Sequence, residues 1–209
     1  FVEDKVLEGA YCLKVMRSPF ASAYIDEIDT SKAEALEGVV KVFTYLNTPD
    51  IYYTTAGQGF PEPSPHDKKL FNQKLRHYGD RVAAVVAETD EICKKAISLI
   101  SVKYTPLKPV LDVAEASKPG APLVHNGKVT YVCGAPSDLE EYNKTSDARD
   151  GEVIYEFPLH GDIHKNIAAG AHGGIGDMEK GFKEADVVVD EVYETDQIQC
   201  TPLEPHVCY

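Results

Sequence analysis

The chain has 209 residues, a formal net charge of -13, 43% hydrophobic and 26% charged content, and no tryptophan. That length holds one large domain, or one domain and part of another, and the composition is ordinary for a globular protein. The acidic balance argues against nucleic acid as a partner, since binding it takes a basic footprint. No apolar run is long enough to span a bilayer as a helix, and the N-terminus has neither region of a signal peptide.

Leu7 to Arg17 is predicted as a strand, turned by Ser18-Pro19. Ala21 to Asp29 is a second strand, with Ala23 and Ile25 on one face and Tyr24, Asp26 and Ile28 on the other. Ser31-Lys-Ala-Glu34 fits a capping box, in which hydroxyl and carboxylate satisfy each other's orphan backbone donors. The helix should run to about Glu37 and stop at Gly38, which can take a left-handed conformation. Val39 to Tyr45 reads as a buried strand. Asn47 to Asn72 contains Pro49, Pro61, Pro63 and Pro65 and keeps no period, so a long surface loop is expected there.

A second strand–helix–strand unit is clearer. Val82 to Ala87 is a continuous apolar run, as in a strand covered on both faces. Thr89 or Asp90 caps a helix from Glu91 to about Ile100, with Ile92, Ala96, Leu99 and Ile100 as its apolar stripe. Ser101 to Tyr104 returns as a strand. Asp112 to Ser117 is a short helical turn, broken by Pro119-Gly-Ala-Pro122. His125 to Gly176 reads as a connecting segment with one strand at Gly151–Phe157. A helix over Asp177–Ala185, with Met178, Phe182 and Ala185 on one face, leads to a strand over Asp186–Glu194. Val207-Cys208-Tyr209 looks like the start of a further buried strand. A strand without partners leaves its backbone groups unpaired, so the chain is expected to be a piece of something longer.

The five cysteines, Cys12, Cys93, Cys133, Cys200 and Cys208, form no CxxC pair. They are too few for a disulfide scaffold and read as reduced thiols of a cytoplasmic protein. Three groups could carry chemistry. Gly170-Ala-His-Gly-Gly-Ile-Gly176 precedes a helix, as a phosphate loop would. Asp177 and Glu179 put negative charge where the phosphate would sit, which favours a plain flexible loop. His160, His164 and His172, with Cys133, offer metal-ligand chemistry without metal-ligand spacing, so surface histidines are expected. Glu204 and His206 flank Pro205 and suit either acid–base work or a turn.

Three blocks resemble one family. Arg17-Ser-Pro19, Ala23-x-Ile25-x-x-Ile28-Asp29 and Leu36-x-Gly-Val-Val40 form the first. Tyr78-Gly79, Val82-Ala-Ala-Val-Val-Ala-Glu-Thr89 and Val102-x-Tyr104-x-x-Leu107 form the second. Gly176-Asp177, Ala185-Asp186-Val-Val-Val189, Tyr193-x-Thr195 and Pro202-Leu-Glu-Pro-His206 form the third. In this order they are similar to the N-terminal part of the large, molybdopterin-binding subunit of the molybdenum hydroxylases, the xanthine dehydrogenases and aldehyde oxidases. Gly79-Asp80-Arg81 departs from the family's usual Gly-Gln-Pro, Cys200 stands where relatives often have histidine, and residues 126–175 are longer than expected.

The resemblance implies an α+β fold. An α/β-hammerhead domain would cover residues 1–115, a linker 116–175, and the first elements of a molybdopterin-binding domain 176–209. It also implies a reaction in which a purine, another N-heterocycle or an aldehyde is hydroxylated with oxygen from water. Molybdenum on a molybdopterin would serve it, with 2Fe-2S and FAD on partner subunits or domains. The family's cofactor loop and catalytic glutamate lie downstream of its Leu-Glu-Pro-His motif. The expectation is therefore no catalytic, cofactor-binding or metal residue in this chain, and no activity by itself. Glu204 and His206 become a structural turn. Expected partners are the remaining molybdopterin domain, the iron–sulfur and FAD components and a small-molecule substrate, with neither nucleic acid nor membrane. The alternative is a stand-alone, non-catalytic binding domain of the same fold.

Overall fold

The computed structural model describes residues 4–5, 7–51, 53, 68–125, 162–167, 175–196 and 198–204. The chain divides into two units, Tyr11–Ala171 and Phe1–Ala10 with His172–Tyr209. Among the described residues no helix is long and apolar enough to cross a membrane.

In the larger unit the elements are β1 (Cys12–Arg17), β2 (Ala23–Asp29), α1 (Ser31–Glu34), β3 (Val39–Phe43), β4 (Lys74–Leu75), β5 (Arg81–Ala87), α2 (Asp90–Leu99), β6 (Ser101–Pro106) and α3 (Val113–Ala116). They build two three-stranded sheets, ordered β1-β5-β3 and β4-β2-β6, and every pairing is antiparallel. Both strand–helix–strand units therefore cross from one sheet to the other. A return into the same sheet as a parallel neighbour needs a crossover of a dozen or more residues, and the four-residue α1 is too short for that.

The continuous apolar run of β5 has the predicted consequence. Val82, Ala83, Ala84, Val85 and Ala87 are all buried. Successive side chains alternate between faces. Ala83, Val85 and Ala87 pack with Ala33, Val42, Cys93, Ala96 and Ile100, while Val82 joins Ala23, Ile25 and Leu75. One strand thus serves both cores. The α2 stripe is centred on Cys93, Ala96 and Ile100, with Ile92 and Leu99 at its margins. Sequence periodicity passed over Cys93, which is fully buried. Its thiol lies 3.3 Å from the Cys12 carbonyl and 3.5 Å from that of Val85, and burial raises its pKa. Cys12, Cys93 and Cys200 carry free thiols.

Thr89 caps α2, its hydroxyl accepting from the Ile92 N–H at 3.3 Å. Asp90 then ties the helix to the sheet, 2.6 Å from Lys14 on β1 and 2.7 Å from Lys94 one turn on. Hydrogen bonds from Lys14 and Lys94 hold the Asp90 carboxyl below its ordinary pKa. A depressed folded-state pKa contributes stability that is fully present above the unfolded value, about 3.9, and is lost as pH falls through the folded value. Asp90→Asn is expected to lower stability modestly at neutral pH. The gap to the parent should close below about pH 4, measured by urea unfolding across a pH series.

Several boundaries and one cap differ from the prediction. β1 starts at Cys12, because Leu7–Ala10 forms a turn in which the Ala10 N–H donates to the Leu7 carbonyl at 3.2 Å and Gly9 has φ +77°. Ser31 does not make a capping box. Thr30 is the N-cap residue, and its hydroxyl donates to the Glu34 carboxylate at 3.1 Å. The Ser31 N–H donates instead to Asp29 at 2.9 Å. The helix ends at Glu34, and β3 stops at Phe43. There the Thr44 N–H turns to the Asn47 side chain at 2.8 Å. In β2 a bulge displaces the alternation, with Ile25 opposite Tyr104 and Glu27 opposite Lys103, which leaves Asp26 as the extra residue. One inserted residue moves every later side chain of the strand to the other face, so Ile28 packs on the core side rather than opposite Ile25. Of the predicted loop over 47–72, residues 52 and 54–67 lie outside the described residues; Tyr53 and Lys68 exchange backbone hydrogen bonds of 2.8 and 3.1 Å.

Gly38 sits at φ +83°, and a β-carbon there would meet the Ile92 Cδ1 at 2.6 Å. The end of a flexible side chain can give way; the backbone cannot. Gly38→Ala is expected to cost about 1–2 kcal/mol, mostly from the left-handed backbone, read as a lower urea midpoint with unchanged slope.

In the smaller unit α4 (Met178–Glu184) is capped by Asp177, whose carboxylate accepts from the Lys180 N–H at 3.0 Å. Met178, Phe182 and Ala185 share an apolar pocket with Val187, Val188 and Val189. The strand expected over Asp186–Glu194 does not form. Its apolar pattern suits a ladder, but a strand needs a neighbour to pair its backbone, and among the described residues none lies beside it. The predicted strand at Gly151–Phe157 lies outside the described residues.

Candidate functional site

The most organised polar feature lies where the exit of β1 meets the turn leading into β5. The Ser18 N–H donates to the Asp80 carbonyl at 2.8 Å, and the Gly79 N–H donates back to the Ser18 carbonyl at 3.0 Å. Ser18 is buried, and its hydroxyl closes a local turn with the Phe20 N–H at 3.0 Å and the Phe20 carbonyl at 2.8 Å. Gly79 has φ +81°, which reverses the chain.

Asp80 holds this turn together. It is only 6% exposed. One carboxylate oxygen accepts from the Arg76 N–H at 3.1 Å and the other from the Arg81 N–H at 2.8 Å. Its own N–H donates to the His77 carbonyl at 3.1 Å, and the His77 Nε2 stands 3.6 Å from the carboxylate. Arg81 reaches outward, its Nη1 donating to the Tyr53 hydroxyl at 2.9 Å and its Nη2 to the Lys69 carbonyl at 3.1 Å. Its guanidinium carbon stands 6.0 Å from the centre of the Tyr53 ring. Arg17 donates to the Gly79 carbonyl at 3.3 Å.

This framework opens a cleft of about 500 Å³ lined by Arg17, Lys68, Arg76, His77, Arg81 and His125, with Asp80 in its wall. His125 arrives from a distant segment that Asn166 secures. The Asn166 side chain donates to the Ala116 and Pro122 carbonyls at 2.8 and 3.0 Å and accepts from the Val124 N–H at 2.9 Å. Asn166 itself has φ +56°, a conformation asparagine tolerates better than most residues.

Of the three groups singled out in the sequence, only His164, Ile175, Gly176 and Glu204 fall among the described residues. His164 is exposed in a short 3-10 turn, its N–H donating to Asp162 at 2.9 Å. His160, His172, Cys133 and Gly170–Gly174 lie outside the described residues, as does His206, while Glu204 is exposed. At Gly176 the helix N-terminus is already served by Asp177. Among the described residues no three His, Cys, Asp or Glu side chains gather as a metal site. The cleft was missed. Its signal was the local run Arg76-His-Tyr-Gly-Asp-Arg81, dense in cations within an acidic chain.

Comparison with known proteins gives the fold its family. Residues 1–108 match the family described as aldehyde oxidase and xanthine dehydrogenase, a/b hammerhead domain. The chain belongs to this family. It is 52% identical over all 209 residues to the probable hypoxanthine oxidase XdhD of Escherichia coli K12. It is 35% identical over 172 residues, 78% of its length, to the same organism's putative xanthine dehydrogenase molybdenum-binding subunit XdhA. A solved Cu,Mo-CO dehydrogenase superposes with a TM-score of 0.50 at 34% identity, covering 58% of this chain and 15% of that one. The hammerhead chain spans 22% of the length of each of the two curated relatives. The departure at Gly79-Asp80-Arg81 now has a physical meaning. The Arg81 N–H donates to Asp80 at 2.8 Å, a bond a proline there could not make.

Proposed function

We propose that this chain is the N-terminal part of the large subunit of a molybdenum-dependent hydroxylase acting on a purine. Identity of 52% over all 209 residues to a protein named as a probable hypoxanthine oxidase carries that reading. Residues 1–115 would be the hammerhead, 116–175 a linker, and 176–209 the opening of the molybdopterin-binding domain. The exposed Phe182, Val187, Val189 and Val192 suit a surface that the rest of that domain covers.

No chemical step falls to the hammerhead in this reading. The cofactor, when bound elsewhere in the subunit, supplies the redox chemistry. In this reading the hammerhead packs against the catalytic domain, and the segment around Tyr53 and Lys68 borders the approach to it. Iron–sulfur and FAD components are the expected electron partners, and the cytoplasm the expected compartment.

The full-length protein is expected to contain stoichiometric molybdenum and to reduce a dye with hypoxanthine, while the 209-residue chain does neither. A full-length protein that is loaded with molybdenum yet turns over aldehydes and not purines would overturn the substrate assignment. Stoichiometric molybdenum in the shorter chain would overturn the division of labour.

A further inference from the structure

We propose that the cleft between the end of β1 and the Arg76–Arg81 turn binds a phosphate-class oxyanion carried by a small molecule. Arg17, Lys68, Arg76 and Arg81 line it, with Asp80 in its wall, and the guanidinium groups of Arg17 and Arg81 donate to neutral oxygens, those of Gly79, Tyr53 and Lys69. The chain as a whole carries -13, so a concentration of one sign runs against the protein's average. A concave site lined by like charges focuses its field and attracts the opposite charge.

The site is built rather than incidental. Asp80 is buried, and both its oxygens accept turn N–H groups. It fixes the backbone that carries Arg76, His77 and Arg81. The bonds of Arg81 to Tyr53 and Lys69 fix its guanidinium plane, and Arg17 comes from another strand to the same opening. Guanidinium groups bind phosphate through paired, charge-assisted hydrogen bonds. A volume of about 500 Å³ suits a small ligand. This inference does not depend on the proposed reaction.

The test titrates inorganic phosphate and pyrophosphate into the 15N-labelled full chain at constant ionic strength, with chloride as the reference. Saturable shifts of the Gly79, Asp80 and Arg81 amides are expected, with pyrophosphate tighter than phosphate. Arg17→Ala should weaken pyrophosphate binding about tenfold, the loss of one charge-assisted hydrogen bond. Arg17→Lys should fall between, and Lys95→Ala, on the exposed side of α2, should change nothing. Melting curves establish that each variant is folded. Arg17 makes a single long bond to Gly79, so its variants should keep the fold. Shifts that chloride reproduces, or an Arg17→Ala variant that binds as the parent does, would overturn the proposal. A short poly-glutamate peptide that binds more tightly than pyrophosphate through the same amides would also overturn it, and would assign the cleft to an acidic protein partner.

Discussion

Asp80→Ala is expected to destabilise the chain by about 2–4 kcal/mol, because two partly buried N–H groups, those of Arg76 and Arg81, lose a buried acceptor together. A donor left unsatisfied costs about 1–3 kcal/mol when buried, and toward the lower end when partly so. The competing explanation is the ion pair with His77. That pair is long, at 3.6 Å, and its histidine is 69% exposed, which places it among contacts worth at most about 1 kcal/mol. The backbone bonds should dominate. His77→Ala is accordingly expected to stay within about 0.5 kcal/mol of the parent. Asp80→Asn keeps one acceptor oxygen and should lie between the parent and Asp80→Ala. Urea unfolding of the three variants decides the matter. An Asp80→Ala loss no larger than that of His77→Ala would reverse the assignment.

The sequence carried the core of the larger unit well, for a local reason. Six apolar residues in a row at Val82–Ala87 can be covered only on both faces, and the helix after them announces itself through Thr89 and a 3.6-residue stripe. What it left unreadable depends on partners remote in the chain. The strand pattern of β2 shows no bulge until Lys103 and Tyr104 are set opposite it. Asp29, Thr30 and Ser31 are all competent caps, and which one serves is decided by how the strand enters α1. Val187 to Val189 have the composition of a strand, but pairing is a property of two segments. The basic cleft draws Arg17, Lys68, Arg76 and His125 from separate stretches, so no window of the sequence contains it. In the first two blocks of the family resemblance, Ala23, Ile25, Val82, Ala83, Ala84, Val85 and Ala87 are buried, and Gly38 and Gly79 turn the chain at positive φ, so much of the pattern in those blocks coincides with positions the fold itself constrains.

The second core should prove as consequential as the turn beside it. Ile25→Ala is expected to cost about 2–5 kcal/mol, the range for truncating a fully buried aliphatic side chain. Ile25 is 0% exposed and packs with Ala23, Leu75 and Val82. Its backbone is held independently, its N–H donating to the Gln73 carbonyl at 2.9 Å and its carbonyl accepting from the Gln73 side chain at 3.1 Å, so the variant reads side-chain packing alone. Phe20 and Tyr104, with ring centres 5.2 Å apart, border the cluster, and their partial collapse into the vacated space favours the lower half of the range. Ile25→Val should cost about 0.5–1.5 kcal/mol. Val40→Ala, on the outer strand β3 and 50% exposed, should stay within about 0.5 kcal/mol. Because β5 gives Val82 to this cluster and Ala83, Val85 and Ala87 to the other, the loss should appear as one earlier transition with an unchanged slope. A biphasic curve for Ile25→Ala would mean that the two sheets unfold separately and that β5 does not couple them.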